Sequence, residues 1–176
     1  MPSVSFSRLE PIVAGYFTLK NYAVFTDVPF RKANGRWSDI DVLAFNAKEL
    51  YIVECKRGAL NREQVEKLVD HFKQAEEYLK KASPYKEFIE KFQLKIRKLY
   101  VAEYIRREKK TIEKHGIETK HAREILCEAI SLVDDLLNKE KLEGVHPNQF
   151  IRYLVLLSKE KLLNTEKCKP KTRTRP

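Results

Sequence analysis

The spacing of hydrophobic and polar residues changes several times along the chain. Over residues 5–20 apolar side chains recur at helical spacing, which predicts a first helix. Residues 22–31 alternate between the two classes and are rich in β-branched and aromatic side chains, as strands are. Two short apolar runs follow at 41–46 and 50–56, and they predict a β-hairpin that is buried on both faces.

A stronger helical pattern begins after the hairpin. Asn61 and Gln64 have the spacing of a capping box, in which side chain and backbone satisfy each other at a helix start. An apolar stripe then runs along the predicted helix through Val65, Leu68, Val69, Phe72, Ala75 and Leu79. A short helix over 84–92 and a strand over 96–105 are predicted next.

The rest of the chain is predicted to be helical, over 106–115, 120–139 and 147–164, with Gly116 ending the first of these segments. The order of helix, three strands, helix, strand and helices predicts an α/β (α+β) domain with a mixed central β-sheet flanked by helices.

We therefore expect a single domain over residues 1–164. Its core covers about 5–105, a helical C-terminal extension covers about 106–164, and a basic disordered tail covers 165–176.

Composition narrows the class of protein. With 43% hydrophobic and 34% charged residues the chain has a globular balance, and no apolar run approaches the roughly 20 residues that cross a membrane. No signal-peptide pattern is present at the N-terminus. Cys55, Cys127 and Cys168 are far apart and form no CxxC pair, so neither a disulfide framework nor a zinc site is expected. A reducing cytoplasm is the simplest compartment.

The net charge of the chain indicates which class of partner it could bind. The net charge is +10, and five basic residues of the tail supply half of it, which leaves +5 for the body. A basic body with a basic tail favours a polyanion, because neutralising phosphates releases bound counterions. A merely solubilising surface is an equal alternative, and charge does not distinguish DNA from RNA or cutting from binding.

Three charged residues lie at the ends of the otherwise apolar hairpin. Side chains alternate along a strand, so Glu54 and Lys56 share one face while Cys55 points to the other. A two-residue loop at Ala47-Lys48 would place Asp41 opposite Glu54, with Cβ atoms about 4.5–5.5 Å apart. The inference depends on this register, since a slip of one residue would move Asp41 to the other face.

Two carboxylates at that distance repel each other unless a cation lies between them, and oxygen ligands suit Mg²⁺ or Mn²⁺. Lys56 beside the ion could orient or deprotonate a water, which completes the parts for metal-assisted phosphodiester hydrolysis. Asp39, two residues before Asp41, is the rival ligand. The competing interpretation is an ordinary Glu-x-Lys ion pair on a solvated edge strand.

Asp41, the apolar hairpin and the run Glu54-Cys55-Lys56 resemble the motif of the PD-(D/E)XK, or restriction-endonuclease-like, superfamily. Residues 53–57 are similar to the E-C-K run of archaeal Holliday-junction resolvases and Mrr-like nucleases. The order of elements over about 5–105 also matches the superfamily's common core. Ile40 stands where the motif has its leading proline. The resemblance implies a restriction-endonuclease-like core and a nuclease of repair, recombination or restriction type.

The resemblance also implies roles. Asp41, Glu54 and the backbone carbonyl of Cys55 would be metal ligands, and Lys56 would be the catalytic lysine. The superfamily's acid on the first helix corresponds to Glu10, which would hold a metal-bound water or else be an ordinary solvated glutamate.

Further residues are candidates for nucleic-acid contact. They are Arg31, Lys32, Arg36 and Trp37 before Asp41, Arg57 after the motif, and Gln64 on the following helix. The resemblance also implies a polar residue near the site on that helix, and Gln64 and Gln74 are the candidates. Trp37 could instead pack in the core or at its rim, and Gln64 could serve only as the capping-box partner of Asn61. His71, His115, His121 and His146 are scattered and are expected to have surface roles, and Cys55 is expected to be a small buried hydrophobe.

From these patterns and the resemblance we expect a cytoplasmic nuclease that cuts DNA, with Mg²⁺ or Mn²⁺ as cofactor and no membrane partner, and the endonuclease or exonuclease mode is left open. RNA is left open as a substrate, and a homodimer is compatible with cutting two strands. The alternatives are a non-catalytic nucleic-acid-binding module on the same fold, and a protein-interaction domain that uses the C-terminal helices over 120–164.

Overall fold

A computed structural model describes residues 9–139 and 148–160. The helices in these ranges are α1 (Glu10–Leu19), α2 (Arg62–Lys81), α3 (Tyr85–Phe92), α4 (Lys109–Glu113), α5 (Ala122–Asn138) and α6 (Gln149–Lys159). The strands are β1 (Ala23–Arg31), β2 (Trp37–Phe45), β3 (Glu49–Lys56), β4 (Lys95–Ala102) and β5 (Ile117–His121).

The strands form one mixed sheet in the order β1-β2-β3-β4-β5. The first three are an antiparallel meander, and β4 and β5 add to it in parallel. One apolar cluster packs α1, α5 and α6 on one face of the sheet, and a second packs α2, α3 and α4 on the other. The predicted α+β class, with a mixed central sheet, flanking helices and a helical C-terminal region, is confirmed.

Strand β3 shows why the hairpin sequence is apolar almost throughout. Leu50 and Ile52 belong to the cluster on the α2 side, whereas Val53 and Cys55 belong to the cluster on the α1 side. All four are buried, so alternation along the strand fills both cores, as expected for a strand covered on both faces. Cys55 is thereby a buried residue, as predicted, and its thiol is free.

The predicted hairpin register is confirmed. Val42 pairs with Val53 and Phe45 pairs with Leu50, which is the register of a two-residue loop at Ala47-Lys48. The side-chain Oδ1 of Asn46 accepts hydrogen bonds from the backbone N–H groups of Lys48 and Glu49, at 2.8 and 3.0 Å. This side chain fixes the loop and therefore the register of both strands.

Strand β2 is irregular at Asp41. Leu43 and Ile40 lie three positions apart, yet both belong to the cluster on the α2 side. A regular strand would place them on opposite faces, so β2 changes face near Asp41. On the neighbouring strand β1, Asp27 lies beside Asp41, between the paired positions Thr26 and Val28, and has a left-handed φ of 52°. The regular alternation of side chains between the two faces of β2 is therefore interrupted between Asp39 and Asp41.

Several other predicted elements are refined by the structure. The capping box at Asn61 is present at the start of α2. Strand β4 ends at Ala102 rather than at 105, and the helix predicted over 106–115 is the short α4, followed by Gly116 at φ 72°. Strand β5 was not predicted, and it occupies the beginning of the helix expected from residue 120. Residues 5–8, 140–147 and 161–164 and the tail 165–176 lie outside the described residues.

Two further features concern the cysteines and the helices. Cys127 on α5 is disulfide-bonded, although the cysteine spacing gave no expectation of a disulfide framework. A disulfide needs two cysteines whose Cα atoms lie about 4.4–6.8 Å apart with suitably directed side chains, and sequence spacing does not reveal this. Among the described helices, none has the length and apolar character needed to cross a bilayer.

Candidate active site

A gap opens between the two central strands at the end away from the hairpin loop. The β2–β3 ladder ends at Val42 and Val53, although both strands continue. Beyond that point β2 pairs with β1, for example through Ile40, while β3 pairs with β4 through Glu54 and Lys56. The outer strands thus hold the two inner strands in place while leaving the space between them free of backbone pairing.

The Asp41 side chain enters this gap. Its Oδ2 accepts a hydrogen bond from the backbone N–H of Cys55 at 2.6 Å. If the β2–β3 ladder continued, a backbone carbonyl of β2 would accept a hydrogen bond at this place. Here the side-chain carboxylate of Asp41 is the acceptor. The contact ties β2 to β3 across the gap and fixes the carboxylate there.

A cavity of about 410 Å³ lies at the gap. It is lined by Lys32, Ser38, Asp39, Asp41, Glu54, Lys56, Leu60, Gln64, Lys67, Leu68 and His71. Its walls come from β2, β3, α2 and the segments that join them, and they carry both acidic and basic groups.

Glu54 is the buried acid of the site, with only 3% of its surface exposed. Its Oε1 lies 2.7 Å from Nε2 of His71, and its Oε2 lies 3.8 Å from Nζ of Lys56. With the Nε2–H tautomer of His71, the imidazole donates this hydrogen bond to the Glu54 carboxylate. Glu54 is thus held from the helix side by His71, while the half-exposed Lys56 faces the open side.

Asp41 shows the electrostatic consequence of bringing two acids together. Burial, followed by the negative charge of Glu54, raises the pKa of Asp41 from its ordinary value to about 6. The hydrogen bond from Cys55 and the charge of Lys56 act in the opposite direction but are weaker. The two carboxylates therefore repel each other, and a cation placed between them would relieve that repulsion.

Glu10, the first residue of α1, extends the acidic group. Its Oε2 is buried and has no hydrogen-bond partner among the described residues. Its negative charge raises the pKa of both Asp41 and the Cys55 thiol, which places it within electrostatic reach of the gap. The structure thus brings the first-helix acid towards the site, and its role there stays a prediction.

The donor set fits a hard divalent cation. Mg²⁺ is commonly held by one or two carboxylates, with waters and substrate phosphate completing its shell. Asp41 and Glu54 supply two carboxylates, and the unpaired oxygen of Glu10 supplies a further candidate. Within residues 9–139 and 148–160, no group of three or more His, Cys, Asp or Glu side chains is arranged around one metal position. A two-carboxylate site does not need such a group.

The other predicted site residues fall into two sets. Asp39, Lys32 and Gln64 line the cavity. Gln64 is also the capping-box partner, because its side chain accepts a hydrogen bond from the backbone N–H of Asn61 at 2.9 Å. Gln64 therefore caps α2 and lines the cavity at the same time.

The second set does not line the cavity. Arg31, Arg36 and Trp37 are exposed around the β1–β2 turn, and Arg57 is exposed directly after β3. Gln74 donates to Asp70 on its own helix and is not among the residues that line the cavity.

His71 is the site residue that sequence reasoning missed. Its expected surface role is wrong, because its side chain is 14% exposed and contacts Glu54. A signal was available, since His71 lies three residues after Leu68 and four before Ala75 and therefore shares the buried stripe of α2. His115 is exposed as expected, and His146 lies outside the described residues.

Comparisons with known proteins add to this geometry. The family model described as nuclease-related domain, NERD, matches residues 8–121, which is more than half of the chain and runs from α1 to the end of β5. The comparison with curated proteins found no match.

One solved structure, described as the crystal structure of a protein of unknown function, AF1548, is 18% identical with a TM-score of 0.49. The alignment covers 87% of this chain and 96% of that one. At this level of similarity we infer nothing from it.

Proposed function

Because this chain belongs to the nuclease-related domain family, we propose that it is a metal-dependent nuclease that hydrolyses phosphodiester bonds of DNA. The family agrees with the expected relation to PD-(D/E)XK-like nucleases, and the motif residues fall within the matched range. The closer likeness to Holliday-junction resolvases and Mrr-like nucleases stays a prediction. The observation that carries the proposal is the convergence of Asp41 and Glu54 on one gap beside the ammonium group of Lys56.

Each residue then has a defined task. Asp41, Glu54 and the backbone carbonyl of Cys55 would hold Mg²⁺ or Mn²⁺, with Asp39 as the rival ligand at the cavity wall. Such an ion, when bound, supplies charge stabilisation at the phosphate and an activated water.

The ammonium group of Lys56 stabilises negative charge that develops on the phosphate and orients the attacking water. His71 keeps the Glu54 carboxylate in one orientation, because its hydrogen bond removes the freedom of that side chain to turn. Glu10 would hold a second water from the side of α1.

The surroundings of the site support a nucleic-acid substrate. Lys32 lines the cavity, and Arg31, Arg36 and Arg57 lie exposed near it, where guanidinium and ammonium groups can contact phosphates. The net charge of +10 favours the same class of partner. DNA is the substrate we propose, with RNA left open. A homodimer and a cytoplasmic location remain predictions.

Cleavage assays test the proposal directly. Plasmid DNA and labelled branched or single-stranded DNA are incubated with the full chain in Mg²⁺, Mn²⁺ or EDTA. We expect cutting only with metal, and we expect Glu54→Ala and Lys56→Ala to abolish cutting while binding stays largely intact. Lys48→Ala is the matched control, because Lys48 is exposed in the loop at the other end of the same strands. Equal residual cutting in the Glu54 and Lys56 variants would reject the site.

The same assays separate two alternatives. Binding without cleavage under any condition would favour a non-catalytic nucleic-acid module on this fold. Absence of both would favour an interaction domain, for which α6 offers a surface, since Tyr153 and Leu156 are each 56% exposed.

A further inference from the structure

Trp37 is exposed to solvent, so its indole ring makes few stabilising contacts with the described part of the protein. It is the chain's one tryptophan, and 69% of its surface is exposed, the highest value among the large hydrophobic residues that the structure describes. A tryptophan of a folded domain usually buries most of its ring, because ring burial is strongly favourable. The exposed indole therefore suggests a contact made with something outside the chain.

The backbone presents Trp37 from a closed turn. The backbone N–H of Lys32 donates to the carbonyl of Arg36 at 2.8 Å, and that of Gly35 donates to the carbonyl of Lys32 at 2.9 Å. Gly35 has the positive φ of 79° that this turn requires. Trp37 follows the turn as the first residue of β2, paired with Arg31. Its backbone is thus fixed before any ligand arrives, which reduces the entropy lost on binding.

Trp37 lies next to the candidate active site. It is two positions before Asp39, so the two share a face of β2, and Asp39 lines the site cavity. At about 3.3 Å per residue, Trp37 is roughly 7 Å along the strand from Asp39 and roughly 13 Å from Asp41. A strand of nucleic acid that has a phosphate in the gap and runs along β2 towards the β1–β2 turn would reach the indole within a few nucleotides.

The side chains around Trp37 complement a nucleic-acid strand. Arg31 lies directly across from it, and Lys32 and Arg36 flank it in the turn. An aromatic face beside cationic groups matches the two parts of a nucleotide, since bases stack on aromatic rings while phosphates pair with cations. In a duplex each base is already stacked on its neighbours, so the ring has a free partner only in an unpaired strand.

We propose that Trp37 is a base-stacking platform and that the candidate active site takes single-stranded nucleic acid. The part of this inference that concerns cleavage rests on the proposed nuclease function. The part that concerns binding does not, because stacking on Trp37 needs neither the metal nor the catalytic residues.

The single tryptophan provides its own probe. Intrinsic fluorescence of the full-length wild-type protein is recorded in EDTA while a single-stranded DNA oligonucleotide, or the duplex with its complement, is added. Dissociation constants for Trp37→Ala, Trp37→Phe and Phe92→Ala come from anisotropy of the same labelled DNAs. Phe92 is the matched control, because it is a 46% exposed aromatic residue on α3, which leads to the opposite end of the sheet.

We expect the single strand to quench Trp37. We also expect Trp37→Ala to weaken single-strand binding by about 5- to 100-fold, with a smaller loss in Trp37→Phe and none in Phe92→Ala. Duplex binding should change less than about twofold, because charge dominates it. Unchanged single-strand binding in Trp37→Ala, or an equal loss for duplex, would overturn the inference.

Cleavage assays keep the two proposals separate. Metal-dependent cutting of duplex with no Trp37-dependent single-strand binding would overturn the stacking proposal and leave the nuclease proposal standing. Trp37-dependent binding of single strands without cleavage under any condition would overturn the nuclease proposal and leave the stacking proposal standing.

Discussion

The two ends of the β2–β3 pair differ in almost every physical property. At the loop end, from Val42 to Val53, the strands are paired without interruption and the side chains fill two apolar cores. At the other end the pairing stops, and Asp41, Glu54 and Lys56 occupy the space. One pair of strands thus carries both the centre of the fold and two carboxylates that repel each other beside a single ammonium group.

The difference indicates how the fold tolerates the charged end. The apolar end and the outer strands β1 and β4 position the backbone on both sides of the gap. The carboxylates can then be held close together although their repulsion disfavours it. Burial is the main reason for the raised pKa of Asp41, and the charge of Glu54 adds to it. Stability and the candidate chemistry should therefore depend on different ends, and substitutions can separate them.

The largest expected effect concerns stability at the apolar end. Ile52 is fully buried between β2 and β4, so Ile52→Ala should lower the free energy of unfolding by about 2–5 kcal/mol, through lost burial and the cavity left behind. Glu54→Gln, two residues further on, should change it by less than about 1 kcal/mol in metal-free buffer, because it removes a buried charge yet still accepts from His71. Urea unfolding measures both. An equal loss of unfolding free energy in the two variants would contradict the separation of stability and chemistry between the two ends.

The next effect concerns pH at the charged end. The pKa of Asp41 is raised by burial and by Glu54 to about 6 in the folded protein, above its unfolded value. The folded state therefore binds a proton more tightly, and this stabilisation is lost as pH rises from about 4 to about 6.

In EDTA the free energy of unfolding of the wild type, compared with Asp41→Asn, should fall over that range by about 2 kcal/mol, which allows for partial solvent screening. Urea unfolding at several pH values checks this. Parallel curves for the two proteins would show that Asp41 is not perturbed.

The smallest effect concerns His71. If its hydrogen bond orients Glu54, His71→Ala should weaken Mn²⁺ binding about tenfold, as loss of a group that orients a metal ligand typically does. His71→Gln keeps a side-chain donor and should lose less. Titration calorimetry with Mn²⁺ measures the dissociation constants, with exposed His115→Ala as the control. An unchanged constant in His71→Ala would remove the residue from this role.

The same two ends show what the sequence could predict. The loop end was predictable because its determinants are local, namely the apolar runs, their two-residue alternation and the Asn46 loop. The hairpin register that places Asp41 towards Glu54 followed from these alone. The capping box at Asn61 was predictable for the same reason.

The charged end depended on contacts between distant segments. The gap exists because β1 and β4 hold the inner strands, and β4 arrives from a distant part of the chain. His71 reaches Glu54 only because α2 packs on the sheet, although its place in the apolar stripe was a usable signal. Strand β5 was missed because its short sequence is largely polar and is recognised as a strand only by its pairing with β4.

A crystal structure of the full chain soaked in Mn²⁺ and measured at an anomalous-scattering wavelength would show whether Asp41 and Glu54 share one metal ion. We predict one anomalous peak in the gap between β2 and β3, within coordination distance of an oxygen from Asp41 and an oxygen from Glu54. At saturating Mn²⁺, the absence of a peak there, or a peak held by only one of these acids, would contradict this prediction.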